Sequence, residues 1–312
     1  MPTLLEFLRK INIRATLAMD EPMARHTTFR IGGPADALVA PESASDFGIL
    51  ASEAISEGLP LTILGGGANI LAGDLGLRGL VVETRLLGRV VFEKAENGSI
   101  RLRAGAGLPI SRLCEAALAA GVAGLENFYA MPGSLGGSVF MNARCYDLEM
   151  ADLLESVSIL DRLGRSRTVP VDRREWSYKC SPFQPGKAEE GAVVLEASFL
   201  LGPGDPSAIR RTMLARLADR ESKGHFRLPS AGSMFKNDRR LGRPTGAILD
   251  ELGFRGRRIG DAMVSPWHAN IFVNAGRATA RDMLALVDLA REEAFRKLGA
   301  RIEPEVLFVG EN

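Results

Sequence analysis

Short apolar runs bounded by glycine, proline or polar clusters recur through the first half of the chain: ALVA at 37–40, LTIL at 61–64, GLVVE at 79–83 and SIRLRAGAG at 99–107. Runs of this length and punctuation predict strands. Between them, residues 43–58 and 108–122 each carry a serine near the start and a glycine near the end, a pattern that predicts capped helices. From about Asp205 the period lengthens, with Ile209, Met213 and Leu217 forming one apolar stripe among arginines. That stripe predicts the first helix of a new lobe. Residues 279–299 repeat the helical period through Met283, Val287, Ala290 and Ala294, with Thr279 placed to cap the start and Gly299 to stop the end. Strands are predicted at ANIFVN (269–274) and RIEPEVLFV (301–309), where Pro304 favours an edge or a strand beginning. Alternation along the latter would put Glu303 and Glu305 on one face. The mixture predicts an α+β or α/β protein.

Composition narrows the function classes. The chain has 312 residues, enough for two or three lobes, with 46% hydrophobic and 25% charged residues, as in a folded soluble protein. Lys+Arg of 39 against Asp+Glu of 38 leaves a net charge of +1. No broad positive field is expected, so neither nucleic acid nor an anionic membrane is an expected partner. Cys114, Cys145 and Cys180 lie far apart without a C-x-x-C pattern, which argues against a disulfide framework and a zinc site. The first twenty residues mix charge into their apolar run, unlike a signal peptide, and a cytoplasmic location is expected. His26, His225 and His268 form no metal-binding pattern, so no metal is expected. His268, just before a predicted strand, reads first as a structural histidine.

Three stretches carry candidate chemistry. LGGGANILAGD (64–74) and MPGSLGGSVFMNA (131–143) are glycine-rich, and glycines let backbone N–H groups approach a bound phosphate or diphosphate. Tight turns explain the same glycines. Neither a P-loop nor G-x-G-x-x-G is present, since Ile70 occupies the last glycine position, so an ordinary nicotinamide domain is disfavoured. In LPSAGSMFKN (228–237), Ser233 has no histidine placed to make it a nucleophile. Its hydroxyl is available either to donate a proton to a basic carbon or to cap the turn that follows. WSYKCSPF (176–183) and EPEV (303–306) add a cation beside aromatics and two carboxylates in an apolar stretch.

In this order, with HTTFRIGGPADAL (26–38) before them and VSPWHANIFVNAGRATARD (264–282) before EPEV, the motifs resemble the UDP-N-acetylenolpyruvoylglucosamine reductases (MurB) of peptidoglycan synthesis. The resemblance covers nearly the whole chain. It implies an α+β architecture: a two-subdomain FAD-binding domain of the PCMH, or vanillyl-alcohol-oxidase-like, type in residues 1–84 and 85–203, and a C-terminal α/β substrate-binding domain in 204–312. It implies NADPH as co-substrate and UDP-N-acetylglucosamine enolpyruvate as substrate; a monomer is expected, on no sequence feature. Hydride would pass from flavin N5 to C3 of the enolpyruvyl group, followed by protonation at C2.

Ser233 matches the family's proton donor, Glu305 the carboxyl group that stabilises the intermediate, and Lys179 the position of the usual stabilising arginine. The flavin-binding residues implied are Arg30, Gly65, Gly66, Gly67, Ala68, Asn69, Ile70, Leu71, Pro132, Gly133, Ser134, Gly136, Gly137 and Asn142. Tyr178, Lys223, Lys236 and Asn237 are implied to hold substrate. Besides Lys179, the chain departs from the family pattern at Ala68 for a serine, Arg144 for a glycine and Asp238 for a proline. The short interval between SPF and the helix at 205, filled by GAVVLEASFLL, resembles the second type of the family, which lacks a tyrosine-bearing loop. A different flavin oxidase, and a relative that binds without turnover, are the competing readings.

Overall fold

In the computed structural model, which describes residues 4–312, the helices are α1 (Leu4–Lys10), α2 (Ala44–Ser56), α3 (Ile110–Ala119), α4 (Leu135–Phe140), α5 (Pro206–Ser222), α6 (Thr245–Glu251) and α7 (Ala280–Leu298). Among the described residues no helix is long and apolar enough to cross a membrane, and no group of three His, Cys, Asp or Glu is gathered to hold a metal ion. The chain forms two units from interleaved stretches. One takes the described residues to Met19 with Ala37–Gly66 and Gly79–Leu217; the other takes Asp20–Asp36, Gly67–Arg78 and Ala218–Asn312.

A four-stranded sheet runs in the order Ala15–Pro22, Pro34–Pro41, Leu77–Glu83, Leu61–Leu64, the last pair parallel. In the first unit, Ala37, Val39, Leu80 and Val82 of this sheet meet Phe47, Leu50, Ala51 and Ala54, one face of α2. Burying each large side chain there contributes roughly 1.5–3 kcal/mol. Ser43 caps α2 by accepting the Asp46 N–H at 3.0 Å.

The same unit holds a five-stranded antiparallel sheet, Ser166–Pro170, Leu154–Leu160, Val193–Leu201, Ile100–Gly105 and Val90–Lys94 in spatial order. Leu102, Ala104, Val157, Ile159, Ala197 and Phe199 form its buried face, against α3, α4 and the buried Ile209 and Met213 of α5. Two sequence expectations change here. The α5 stripe packs into this core instead of opening a new lobe, because a helical period identifies a buried face but not the core it joins. Helix α3 begins after Pro109 without a side-chain cap, so Ser111 lies inside it.

In the second unit Ser230–Ser233, Ile271–Asn274, Ala262–Val264 and Arg258–Ile259 form an antiparallel sheet in that order. Helix α7 buries Met283, Leu286, Val287, Ala290 and Ala294 in a core shared with Phe235, Phe272, Phe29 and Leu71. Thr279 and Asp282 form a capping box at its start, Gly299 ends it at φ 64°, and the Asp74 carboxylate accepts the N–H groups of Ala280 and Arg281 at 2.7 and 3.0 Å.

The predicted strand at 301–309 is shorter than expected: only Leu307–Val309 is a strand, paired in parallel with Ile70–Ala72. Pro304, lacking an N–H, makes only an isolated bridge to Phe235. The two glutamates therefore do not share a face, for Glu303 is exposed and Glu305 is buried.

Candidate active site

In the first unit the two glycine-rich loops interlock. A side chain at Gly66 would place Cβ 2.7 Å from the Gly133 Cα, one at Gly65 would come 2.5 Å from the Ser134 Oγ, and one at Gly136 2.8 Å from the Ala106 Cβ. Steric fit between protein segments therefore explains these glycines. Ser134 ties the loops: its buried hydroxyl accepts the Gly66 N–H at 3.2 Å and caps α4 through the Gly137 N–H. Gly133 has φ 108° and Pro132 is exposed. Among the described residues the amides of Gly65 and Gly133 have no acceptor in the protein. Unengaged amides beside close-packed glycines fit an anionic diphosphate such as that of FAD without any basic side chain.

The remainder of the first loop belongs to the second unit. Gly67 has φ 59°, and a Cβ there would fall 1.9 Å from the His26 carbonyl oxygen. The amides of Gly67 and Ala68 also lack a protein acceptor among the described residues. Asn69 donates from Nδ2 to the Glu305 carbonyl at 3.1 Å, Ile70 begins the strand that pairs with Leu307, and the Leu71 side chain is core. Arg30, exposed at φ 55°, sits where Asn274 Nδ2 donates to the Phe29 carbonyl at 3.1 Å. A non-glycine residue held left-handed is strained, and the buried Asn274 is what holds this turn.

Asn142 has a different place from the one its motif implies. It is fully buried at φ 41°, donates to the Glu149 carboxylate at 2.9 Å and to the Ser177 carbonyl at 2.8 Å, and accepts the Ala151 N–H at 3.1 Å. Its side chain is thus committed to protein groups. What it supports is a tight turn in which the Ser177 and Cys180 amides exchange bonds with each other's carbonyls at 3.1 and 2.9 Å. Tyr178 and Lys179 form the tip, Lys179 at φ 56°, and the Lys179 carbonyl accepts from Gln184 at 3.1 Å.

In the second unit Ser233 ends its strand just beyond an irregularity in the pairing with Ile271–Asn274. No protein partner of its hydroxyl is found among the described residues, so the capping role is not adopted. The chain beyond it is pinned from both sides. Asn270, itself buried, takes the Met234 N–H on its carbonyl at 2.7 Å and the Phe235 N–H on its side chain at 3.0 Å, and donates back to the Phe235 carbonyl at 2.8 Å. On the other side the Glu305 N–H donates to the Met234 carbonyl at 2.7 Å and the Lys236 N–H to the Glu303 carbonyl at 2.9 Å. Ser233 and Glu305 thus lie on adjoining segments, although 72 positions apart in the chain by their numbers (305 − 233).

Asn237 accepts the Thr245 N–H at 2.9 Å, holding the start of α6, and Thr245 donates to the Lys236 carbonyl at 2.6 Å. Lys236 lies 3.6 Å from the Glu303 carboxylate, and Lys223 pairs with Asp219 one helical turn earlier at 2.7 Å. His268 accepts the Asn270 N–H at 3.2 Å, which makes it a support of the same clamp. Burial and the Lys223 charge lower its pKa; burial and the Arg220 charge lower that of His225 to about 4.

The sequence reading missed Asn270, Asn274 and Thr245. The signal was present as two asparagines bracketing the apolar run IFV, since a polar residue in a buried strand must find partners.

Residues 35–169 match the family described as FAD binding domain, and residues 224–309 match UDP-N-acetylenolpyruvoylglucosamine reductase, C-terminal domain. A UDP-N-acetylenolpyruvoylglucosamine reductase of Treponema pallidum is 36% identical, covering 97% of this chain and 96% of the relative. One from Agathobacter rectalis is 38% identical, covering 95% and 94%. The solved structure of the Thermus caldophilus enzyme of that name (MurB) superposes with a TM-score of 0.76 at 29% identity, covering 96% of this chain and all of the other. Relatives of one name align along nearly the full length, and both of the family's domains are present: the chain belongs to the UDP-N-acetylenolpyruvoylglucosamine reductases, FAD-dependent oxidoreductases.

Proposed function

We propose that the chain reduces the enolpyruvyl ether of UDP-N-acetylglucosamine enolpyruvate to UDP-N-acetylmuramate, with NADPH as the electron donor and Ser233 as the proton donor. When bound, FAD supplies the two-electron chemistry that carries hydride from NADPH to C3 of the enolpyruvyl group. The residues of this chain manage charge and the proton. Hydride arriving at C3 breaks the C2–C3 π bond and pushes an electron pair toward C2 and the carboxylate. A hydroxyl held against C2 then forms the new C–H bond, and solvent returns the proton to the serine oxygen.

The observation that most favours this role is the contrast between the Ser233 hydroxyl, without a protein partner among the described residues, and the pinned backbone beyond it. A rigid strand end with a reserved donor suits proton delivery to one carbon. The buried Glu305, bonded through its amide to the Met234 carbonyl, is the neighbour assigned to stabilise the enolate. Lys179 is assigned the complementary positive charge; such preorganised groups act most strongly where charge develops. Lys223, Lys236 and Tyr178 are assigned to the substrate, and the glycine loops with Arg30 to FAD. Asn142 is assigned to position the Ser177–Cys180 turn.

An anaerobic two-step titration tests the reading. The flavin-loaded protein is bleached with NADPH and then given UDP-N-acetylglucosamine enolpyruvate. Return of the oxidised flavin spectrum with stoichiometric UDP-N-acetylmuramate is the expected result. Bleaching without return would overturn it in favour of another flavin oxidoreductase or a binding protein.

A further inference from the structure

Two departures from the family pattern, Lys179 and Arg144, lie on separate segments that meet in the first unit. Arg144 opens a short antiparallel pair, Arg144–Cys145 with Leu148–Glu149, whose turn holds Tyr146 and Asp147 at φ 50° and 68°. Its guanidinium carbon lies 5.7 Å from the centre of the Tyr178 ring, and Tyr178 precedes Lys179 at the tip of the Ser177–Cys180 turn. The Arg144 side chain is only 20% exposed, whereas that of its ion-pair partner Asp147 is 92% exposed. Two residues earlier Asn142 bonds the Ser177 carbonyl, so the hairpin and the turn meet at two points.

We propose that Arg144 is an anion-binding residue of the substrate site, its guanidinium supplying, over Tyr178, the forked contact to a substrate carboxylate that Lys179 cannot make. The proposal rests on the reductase reading, in which the enolpyruvyl group provides that carboxylate. A guanidinium offers two parallel N–H donors that match a carboxylate, while an ammonium offers a compact point charge. The pair with Asp147 does not prevent this, because an ion pair with so exposed a partner is held weakly and exchanges readily for a ligand carboxylate. The Tyr178 ring, 5.7 Å from the guanidinium carbon, is a second contact for the cation that does not depend on Asp147.

The test compares wild type, Arg144→Ala, Arg144→Lys and the double variant Arg144→Ala with Lys179→Arg, all flavin-loaded. Calorimetry reads the affinity of each for UDP-N-acetylmuramate and for UDP-N-acetylglucosamine, which lacks the lactyl carboxylate. Arg144→Ala is expected to weaken the first about ten- to hundredfold, the range for a lost charge-assisted hydrogen bond, and to leave the second within about twofold. Arg144→Lys recovers only part of the loss, and Lys179→Arg in the alanine background recovers most of it. Unchanged binding, equal loss for both ligands, or full recovery with Arg144→Lys would overturn the proposal; equal loss would mean that Arg144 only props Tyr178. A wild-type protein that binds neither ligand and fails the two-step titration would instead overturn the reductase reading itself.

Discussion

Ser134 and Ser233 each follow a glycine and precede an asparagine within eight residues, yet the structure gives their hydroxyls opposite surroundings. Ser134 is buried, and its hydroxyl is occupied by the amides of Gly66 and Gly137. Ser233 is half-buried, and its hydroxyl has no protein partner among the described residues while the neighbouring backbone is clamped by Asn270 and by Glu305. The asparagines differ likewise: Asn142 is spent on three protein contacts around a turn, and Asn237 on the start of α6. Composition places a serine in a loop, but only the fate of its hydroxyl separates a strut from a proposed proton donor.

The largest expected effect tests that separation directly. Ser233→Ala should slow reduction of the enolpyruvyl substrate by about 10²–10⁴-fold, the usual span for a removed general acid, while the rate of flavin bleaching by NADPH and the melting temperature stay unchanged. Ser134→Ala should do the reverse. Losing the acceptor of two amides costs about 1–2 kcal/mol, seen as a lower melting temperature and lower flavin content, with both half-reactions falling together. If the two variants behaved alike, the contrast between the serines would be false.

A second pair of variants compares the glycines. Gly67 combines φ 59° with a position where a Cβ would overlap the His26 carbonyl oxygen at 1.9 Å. Gly67→Val should therefore destabilise the protein by about 2–4 kcal/mol, combining left-handed strain with overpacking. Gly232, beside Ser233, has φ 76° but nothing within 4 Å of its absent Cβ. Gly232→Ala should cost only about 1 kcal/mol, the conformational part alone. Denaturant midpoints give both values. A Gly67→Val protein with wild-type stability but no flavin would show that this glycine serves ligand approach instead of packing.

Much of the fold was legible because helices and strands carry local signals. The Ser43 cap, the Thr279 capping box, the Gly299 stop and the buried stripe of α7 all appear where period and caps predict them. The strand Ala15–Pro22 was not legible, since its burial shows no alternation, and α4 was hidden by two glycines that a helix normally avoids. Motif order singles out Ser233 and Glu305 as candidates, but not their adjacency, which depends on an amide-to-carbonyl bond between Glu305 and Met234 that carries no residue signature. For the same reason the packing share of the glycine loops is not legible beside their ligand-cradle reading. The backbone of Gly133 and the hydroxyl of Ser134, which fill the space beside Gly66 and Gly65, lie far away in sequence.

The smallest expected effect sharpens the comparison by confining it to one region. His268 accepts the Asn270 N–H, and Asn270 clamps Met234 and Phe235, so protonation there loosens the support of Ser233 but not the loops around Ser134. His225, facing His268, Arg220, Lys223 and Asp219, has its pKa lowered to about 4 by burial first and by the Arg220 charge second. A folded-state pKa below the unfolded value means that the unfolded chain binds more protons between about pH 6.5 and 4, so stability present above that window is lost as pH falls through it. With a discount for partial exposure the loss between pH 7 and 5 is about 1 kcal/mol. The Glu293 carboxylate, held near 2 by Lys297 and Arg257, titrates below the usual carboxylate value of 4.5 and leaves this interval to the histidines. Of the two tryptophans, Trp176 lies in the first unit and Trp267 in the second, so a Trp176→Phe protein reports the second unit by fluorescence. Its denaturation midpoint should fall from pH 7 to pH 5, and His225→Asn should remove part of that fall. An equal fall in the His225→Asn protein would place the acid sensitivity elsewhere.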